Sequence, residues 1–197
     1  MYRAVTLLAN RAGIAHSDGP TLAHLLHNML LTTSWVGLEM HVIANGEDVT
    51  PLLRRPEIDQ AVRFIASLPE TRQKLLLLQR QMAKEGEVVM EGRDIGSVVL
   101  PNADLKVYLD ASIEVRAERR WREHQNRGEN ISLDEVIDEV YERDKLDSER
   151  EHSPLVRASD AILVDNTGIG IEETVRLIVL LARERQGEMA KTAKIKQ

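Results

Sequence analysis

The chain has 197 residues, 43% hydrophobic and 29% charged, which suits one globular domain with its own core. Only 3% are aromatic, so that core is expected to be aliphatic. A formal charge of -6 argues against a broad nucleic-acid or anionic-membrane surface, and the lack of cysteine excludes disulfides and thiolate metal sites, as in a reducing cytoplasm.

Residues 2–14 carry Val5, Leu8 and Ala12 at helical spacing, with Gly13 as a stop. Arg3 and Arg11 without an acid before Asp18 superficially suit a targeting peptide, but a helix of the mature protein is the better reading. Residues 21–31, with Leu22, Leu25, Leu26, Met29 and Leu30, read as a second amphipathic helix. Alternating Val36, Leu38, Met40 and Val42 predict a strand over 35–43, followed by a turn at Asn45-Gly46.

Pro56 and Pro69 introduce predicted helices at 57–67 and 70–84. Three short apolar runs, 87–90, 105–109 and 161–164, are expected as buried parallel strands, with helices at 112–126, 132–146 and 171–185. Lysine-bearing residues 186–197 are expected to form a solvated tail. His24 and His27 lack a third ligand, so a metal site is not inferred from them; Trp35, Phe64 and Trp121 are assigned to packing.

Chemistry concentrates in Glu91-Gly92-Arg93-Asp94-Ile95-Gly96 and in Arg143-Asp144-x-x-Asp147-x-x-Arg150. Arg93 and Asp94 follow a predicted strand, where ligands bind in open α/β sheets. Arginine's planar fork suits a phosphate, and aspartate accepts from an exocyclic amino group such as that of cytosine. The plainer explanation is a strand-to-loop turn with an internal ion pair. Arg143, Asp147 and Arg150 share one helix face by their spacing, either as a site or as a solvated ion-paired face. The row Arg116, Arg119, Arg120 and Arg122 has Glu114, Glu118 and Glu123 available as partners; the functional alternative is that Arg116, Arg119 and Arg120 belong to a closing lid that neutralises charge during phosphoryl transfer.

Together with Met1-Tyr2-Arg3-Ala4, the run from Glu91 to Ala103 and Pro154-Leu155, these motifs resemble bacterial cytidylate kinases in order and separation over nearly the whole chain. The resemblance implies an α/β P-loop nucleoside monophosphate kinase: a parallel sheet flanked by helices, with a monophosphate-binding insertion over 30–68 and a lid region over 114–145 of a single domain spanning 1–197. It implies phosphoryl transfer from ATP to CMP or dCMP with Mg²⁺, by a monomer with no nucleic-acid or membrane partner. Arg3 and Arg93 would hold the CMP phosphate, and Arg72 and Asp94 would read cytosine. Arg143, Asp147 and Arg150 would arrange ribose and phosphates, with Arg93, Arg143, Arg119 and Arg120 carrying the catalytic charge. Asn166 and Thr167 would approach adenine, and Glu91 would face the metal through water.

Two departures qualify the resemblance. Arg63 stands where the family has a small hydroxyl residue near the base, and either a surface position or altered base choice would account for it. No Gly-Lys pair occurs, so the Walker loop that grips ATP phosphates is not in these residues. The first strand, P-loop and second strand are expected upstream of Met1. Without that central strand the 197 residues are expected to be barely stable or unfolded, with kinase activity impaired or absent. The alternatives are a non-catalytic CMP-binding remnant or sensor, or a related kinase with another acceptor.

Overall fold

The computed structural model describes residues 1–37, 39–151 and 153–195, and their side chains except at 190 and 192–195. The chain forms two compact units, Met1–Val88 and Val89–Gln197.

In the first unit, helix α1 (Tyr2–Arg11) is the central element. Ala4 to Ala9 are all buried, so the helix is covered nearly all round rather than along one stripe. Its one polar residue in that run, Thr6, donates its hydroxyl to the Tyr2 carbonyl at 3.0 Å. The helix ends before Gly13, whose φ of +65° takes the left-handed geometry common after helices. Helix α2 (Gly19–Asn28) starts on Asp18, which accepts from the Thr21 amide at 3.1 Å.

The strand expected over 35–43 is instead a hairpin, β1 (Leu31–Val36) and β2 (Glu39–Ala44), paired antiparallel from Leu31↔Ala44 to Val36↔Glu39. Gly37, at φ +62°, permits the reversal. Alternation persists through a turn, which is why it was read as one strand; Leu38 lies outside the described residues. Asn45 and Gly46, at φ +50° and +85°, make the expected turn into β3 (Glu47–Asp48), as a two-residue hairpin loop of this handedness requires. Leu31, Val42 and Ala44 are buried, whereas Trp35, expected to pack, is 69% exposed at the hairpin tip.

A 3₁₀ turn at Thr50–Leu52 leads to α3 (Pro56–Ser67) and α4 (Pro69–Met82), each begun by its proline. Helix α1 packs on α2 and α3, and α4 on α2 and α3. Leu22, Leu26, Ile58, Ile65 and Leu75 fill this aliphatic core.

Residues 87–90, where the two units meet in the sequence, form no strand, a correction to the expected three-stranded parallel sheet. An apolar run becomes a strand only where a neighbour takes its hydrogen bonds; Val89 is fully exposed here. Residues Ile95–Val99 then form one π-helical turn. Strands β4 (Val107–Asp110) and β5 (Ile162–Asp165) pair in parallel, from Val107↔Ile162 to Asp110↔Asp165. Between them lie α5 (Ile113–Asn126), capped by Ser112, and α6 (Leu133–Glu149), opened by a Ser132–Glu135 capping box. Ala117, Val136 and Val140 are buried between these two helices.

Helix α7 runs from Ile171 to Ile195, so the segment expected as a tail is helical over 186–195. Gln186 to Met189 and Lys191 are exposed, while Lys196 and Gln197 lie outside the described residues. No described helix is long and apolar enough to cross a membrane.

Candidate active site

The loop that opens the second unit is shaped by two close approaches. A Cβ on Gly92 would sit 2.9 Å from Ile95 Cγ1, and one on Gly96 would sit 3.3 Å from Lys106 Cδ. Between them Asp94 is 8% exposed, and its carbonyl accepts the Val98 and Val99 amides at 2.9 and 3.1 Å, starting the π turn. Arg93 instead extends outward: its side chain is 43% exposed, with Nε 3.2 Å from Asp147 Oδ2. The loop therefore presents the two residues differently, Asp94 buried and Arg93 available to solvent.

Helix α6 supplies the rest of this cluster. Arg143, Asp144 and Asp147 are half-buried, whereas the intervening Lys145, Leu146 and Ser148 are exposed. The spacing thus marks one inward face, as expected. Arg150, the residue that closes the helix, places Nη1 3.3 Å from Asp147 Oδ1 and donates Nε to the Ser153 carbonyl. The Asp147 carbonyl accepts the Leu155 amide at 2.7 Å, folding the segment after the helix back onto it. One carboxylate is consequently shared by two guanidiniums, Arg93 and Arg150, whose planar forks match the shape of a phosphate. Asp144 is paired separately with Arg116.

Arg3 and Arg72 belong to the first unit. Arg3 donates Nη1 to the Leu53 carbonyl at 2.9 Å and pairs through Nη2 with Asp59 at 2.5 Å. Arg72 is 8% exposed, lies 5.7 Å from the centre of the Tyr2 ring, and donates to the Ala66 carbonyl at 3.0 Å. Arg63 is exposed and sits over the neighbouring Phe64 ring at 4.8 Å, which accounts for it as a surface residue.

The arginines of α5 all have protein partners. Arg116 donates to the Ala111 carbonyl at 2.8 Å as well as to Asp144. Arg120 Nε stands 3.7 Å from Glu139, and Arg122 pairs with Glu118. Arg119 reaches the loop after β5, donating to Asn166 Oδ1 at 3.0 Å and to the Asn166 carbonyl at 2.8 Å. In that loop Asp165 accepts from the Thr167 amide and hydroxyl at 2.8 and 2.6 Å, and these bonds hold its carboxyl below the usual range.

Glu91 is exposed, and no three His, Cys, Asp or Glu side chains gather as a metal site among the described residues. A lone carboxylate fits Mg²⁺ brought in on nucleotide phosphates, not an ion held by protein alone.

Sequence reasoning did not foresee the Arg93–Asp147, Arg116–Asp144 or Arg119–Asn166 pairs. Each joins distant segments through tertiary folding and has no local signal. The Asp165-x-Thr167 turn, by contrast, is legible, because an aspartate followed two residues later by a hydroxyl residue favours such a turn.

The family model described as cytidylate kinase matches residues 1–184. The chain belongs to the cytidylate kinase family. A cytidylate kinase of Geobacter sulfurreducens is 46% identical over 186 residues, covering 94% of this chain and 80% of the relative. Another, of Exiguobacterium sp., is 46% identical over 184 residues, 93% of this chain and 82% of the relative. A third, of Streptococcus sanguinis, is 45% identical over 179 residues, with 90% and 80% coverage. Membership makes the chain a nucleoside monophosphate kinase, a transferase of phosphoryl groups, by family.

Proposed function

We propose that this kinase acts on CMP or dCMP, moving the γ-phosphoryl group of ATP to the monophosphate to give ADP and the diphosphate. The observation that carries this reading is the Asp147 carboxylate shared by Arg93 and Arg150. Two guanidiniums on one acid can exchange a shared carboxylate contact for the oxygens of an entering monophosphate, gaining charge-assisted hydrogen bonds at little reorganisation.

In this reading Arg3 and Arg93 bind the CMP phosphate, Arg72 and Asp94 select cytosine, and Arg143, Asp147 and Arg150 orient ribose and phosphate. An oxygen of the CMP phosphate attacks the γ-phosphorus as the bond to the ADP oxygen breaks. The protein's part is alignment and charge neutralisation, with Arg143 and Arg120 facing the charge that develops. Mg²⁺, when bound, neutralises phosphate charge, and Glu91 would orient its water shell. Asn166 and Thr167 lie on the adenine side. A cytoplasmic monomer fits this role.

The test is phosphorylation of CMP, dCMP and UMP with ATP, alongside calorimetric CMP binding, for wild type and Arg93→Ala. The variant should lose about 10²- to 10³-fold in kcat/KM for CMP. Near-normal turnover would remove Arg93 from the site. The second reading is a CMP-binding module without transfer. CMP binding without ATP-dependent CDP formation would select it.

A further inference from the structure

The end of β5 and the first turns of α5 are joined by hydrogen bonds that run in both directions. Asp165 Oδ1 accepts the Thr167 hydroxyl at 2.6 Å and its amide at 2.8 Å. Because the hydroxyl proton points to Asp165, the oxygen's lone pairs remain available, and it accepts the Ser112 amide at 3.0 Å. Ser112 is the N-cap of α5, its own hydroxyl accepting from the Val115 amide at 3.3 Å. The helix then returns the connection: Arg119 donates to Asn166 Oδ1, to the Asn166 carbonyl and, at 3.3 Å, to the Ile169 carbonyl. The Asn166 amide is anchored to the Asp110 carbonyl at 2.8 Å, continuing the β4–β5 pairing. The loop over 165–169 is thus held at one end by an acid and at the other by a cation, both acting against the same helix.

An arginine with its fork spread over three acceptors is poorly placed to meet a transferring phosphoryl group, since each contact would have to break first. We propose that Arg119 and Asp165 are positioning residues that lock the 165–169 loop onto α5, so that the loop and the helix bearing Arg116 and Arg120 move as one piece. This extends the reading in which Asn166 and Thr167 face adenine, and it replaces a direct catalytic role for Arg119. Ionised Asp165 suits the task because it can only accept, which fixes the direction of the Thr167 relay.

The experiment is site-resolved amide hydrogen exchange on the full chain for wild type, Arg119→Lys, Asp165→Ala, the double variant and a control, Arg122→Ala. Lysine keeps the charge and the helix propensity but cannot span the three acceptors. Each single variant should speed exchange at Ser112, Thr167 and Ile169 by about tenfold, leaving the amides of α6 unchanged. The double variant should fall short of the product of the two, because both residues hold one element. The Arg122→Ala control should match wild type. Unchanged exchange at all three amides, or strictly multiplicative effects, would overturn the lock. Titration with ATP and with CMP separates the underlying reading: the variants should weaken ATP several-fold and leave CMP unaltered. Faster exchange with unaltered or absent ATP binding would keep the lock and discard the adenine assignment.

Discussion

Asp48 illustrates how much a single exposed carboxylate can be tuned by its neighbours. It accepts from the Thr50 hydroxyl at 2.6 Å and amide at 3.0 Å, and from His41 Nδ1 at 2.6 Å. The Thr50 hydroxyl chiefly, then His41 and the Thr50 amide, lower its pKa from 3.8 to about 2. Because the folded value lies below the unfolded one, its contribution to stability is full above about pH 4 and is lost as pH falls toward 2. A carboxyl-carbon NMR titration should show the low midpoint in wild type, and Thr50→Val should move it upward. An unmoved midpoint would contradict the assignment of cause. The same scale shows what spacing can reveal: Arg143, Asp147 and Arg150 were legible as one helix face, because three and four residues complete about one turn. That Arg93 would meet Asp147 was not legible, since nothing near either residue in the sequence encodes the other.

At the level of elements, termini and turns were the readable features. Pro56, Pro69 and the Asn45-Gly46 turn act through their own backbone constraints and appear where they were expected. The Ser132 capping box, which the sequence reading did not single out, is equally local: its hydroxyl accepts the Glu135 amide at 3.2 Å while Glu135 accepts the Ser132 amide at 2.8 Å. Ser132→Ala should cost about 1 kcal/mol by chemical denaturation of the full chain. Strands were less legible. A run such as 87–90 has the composition of a strand, yet its ladder depends on a partner elsewhere in the chain. The hairpin at 31–44 failed differently, because the two-residue period of its apolar positions continues across Gly37 without a break.

Across the whole molecule, the two units bury apolar surface unequally. The first surrounds α1 with Leu22, Leu26, Ile58, Ile65 and Leu75, each at most 2% exposed. Leu22→Ala should cost about 2–5 kcal/mol through lost burial and the cavity left behind, measurable by denaturation. In the second, the described cluster between α5 and α6 rests on Ala117, Val136 and Val140, and the two-stranded sheet leaves Leu109, Ile162 and Leu163 41–50% exposed. Two strands with half-covered faces give weak local stability. Amides of β4 and β5 should therefore exchange at least about tenfold faster than those in the middle of α1. Equal protection would show that the sheet is better supported than its exposure implies.

The amino-acid sequence determined where the helices begin, the Asn45-Gly46 reversal and the row of charges on α6, all of which follow from interactions within a few residues. Tertiary structure alone decided which apolar runs became paired strands, that Trp35 stands in solvent, and that Arg93 and Arg150 share Asp147 while Arg119 holds the loop after β5. Those outcomes depend on where distant segments meet, and a hydrogen bond or an ion pair exists only once both partners have been brought within reach.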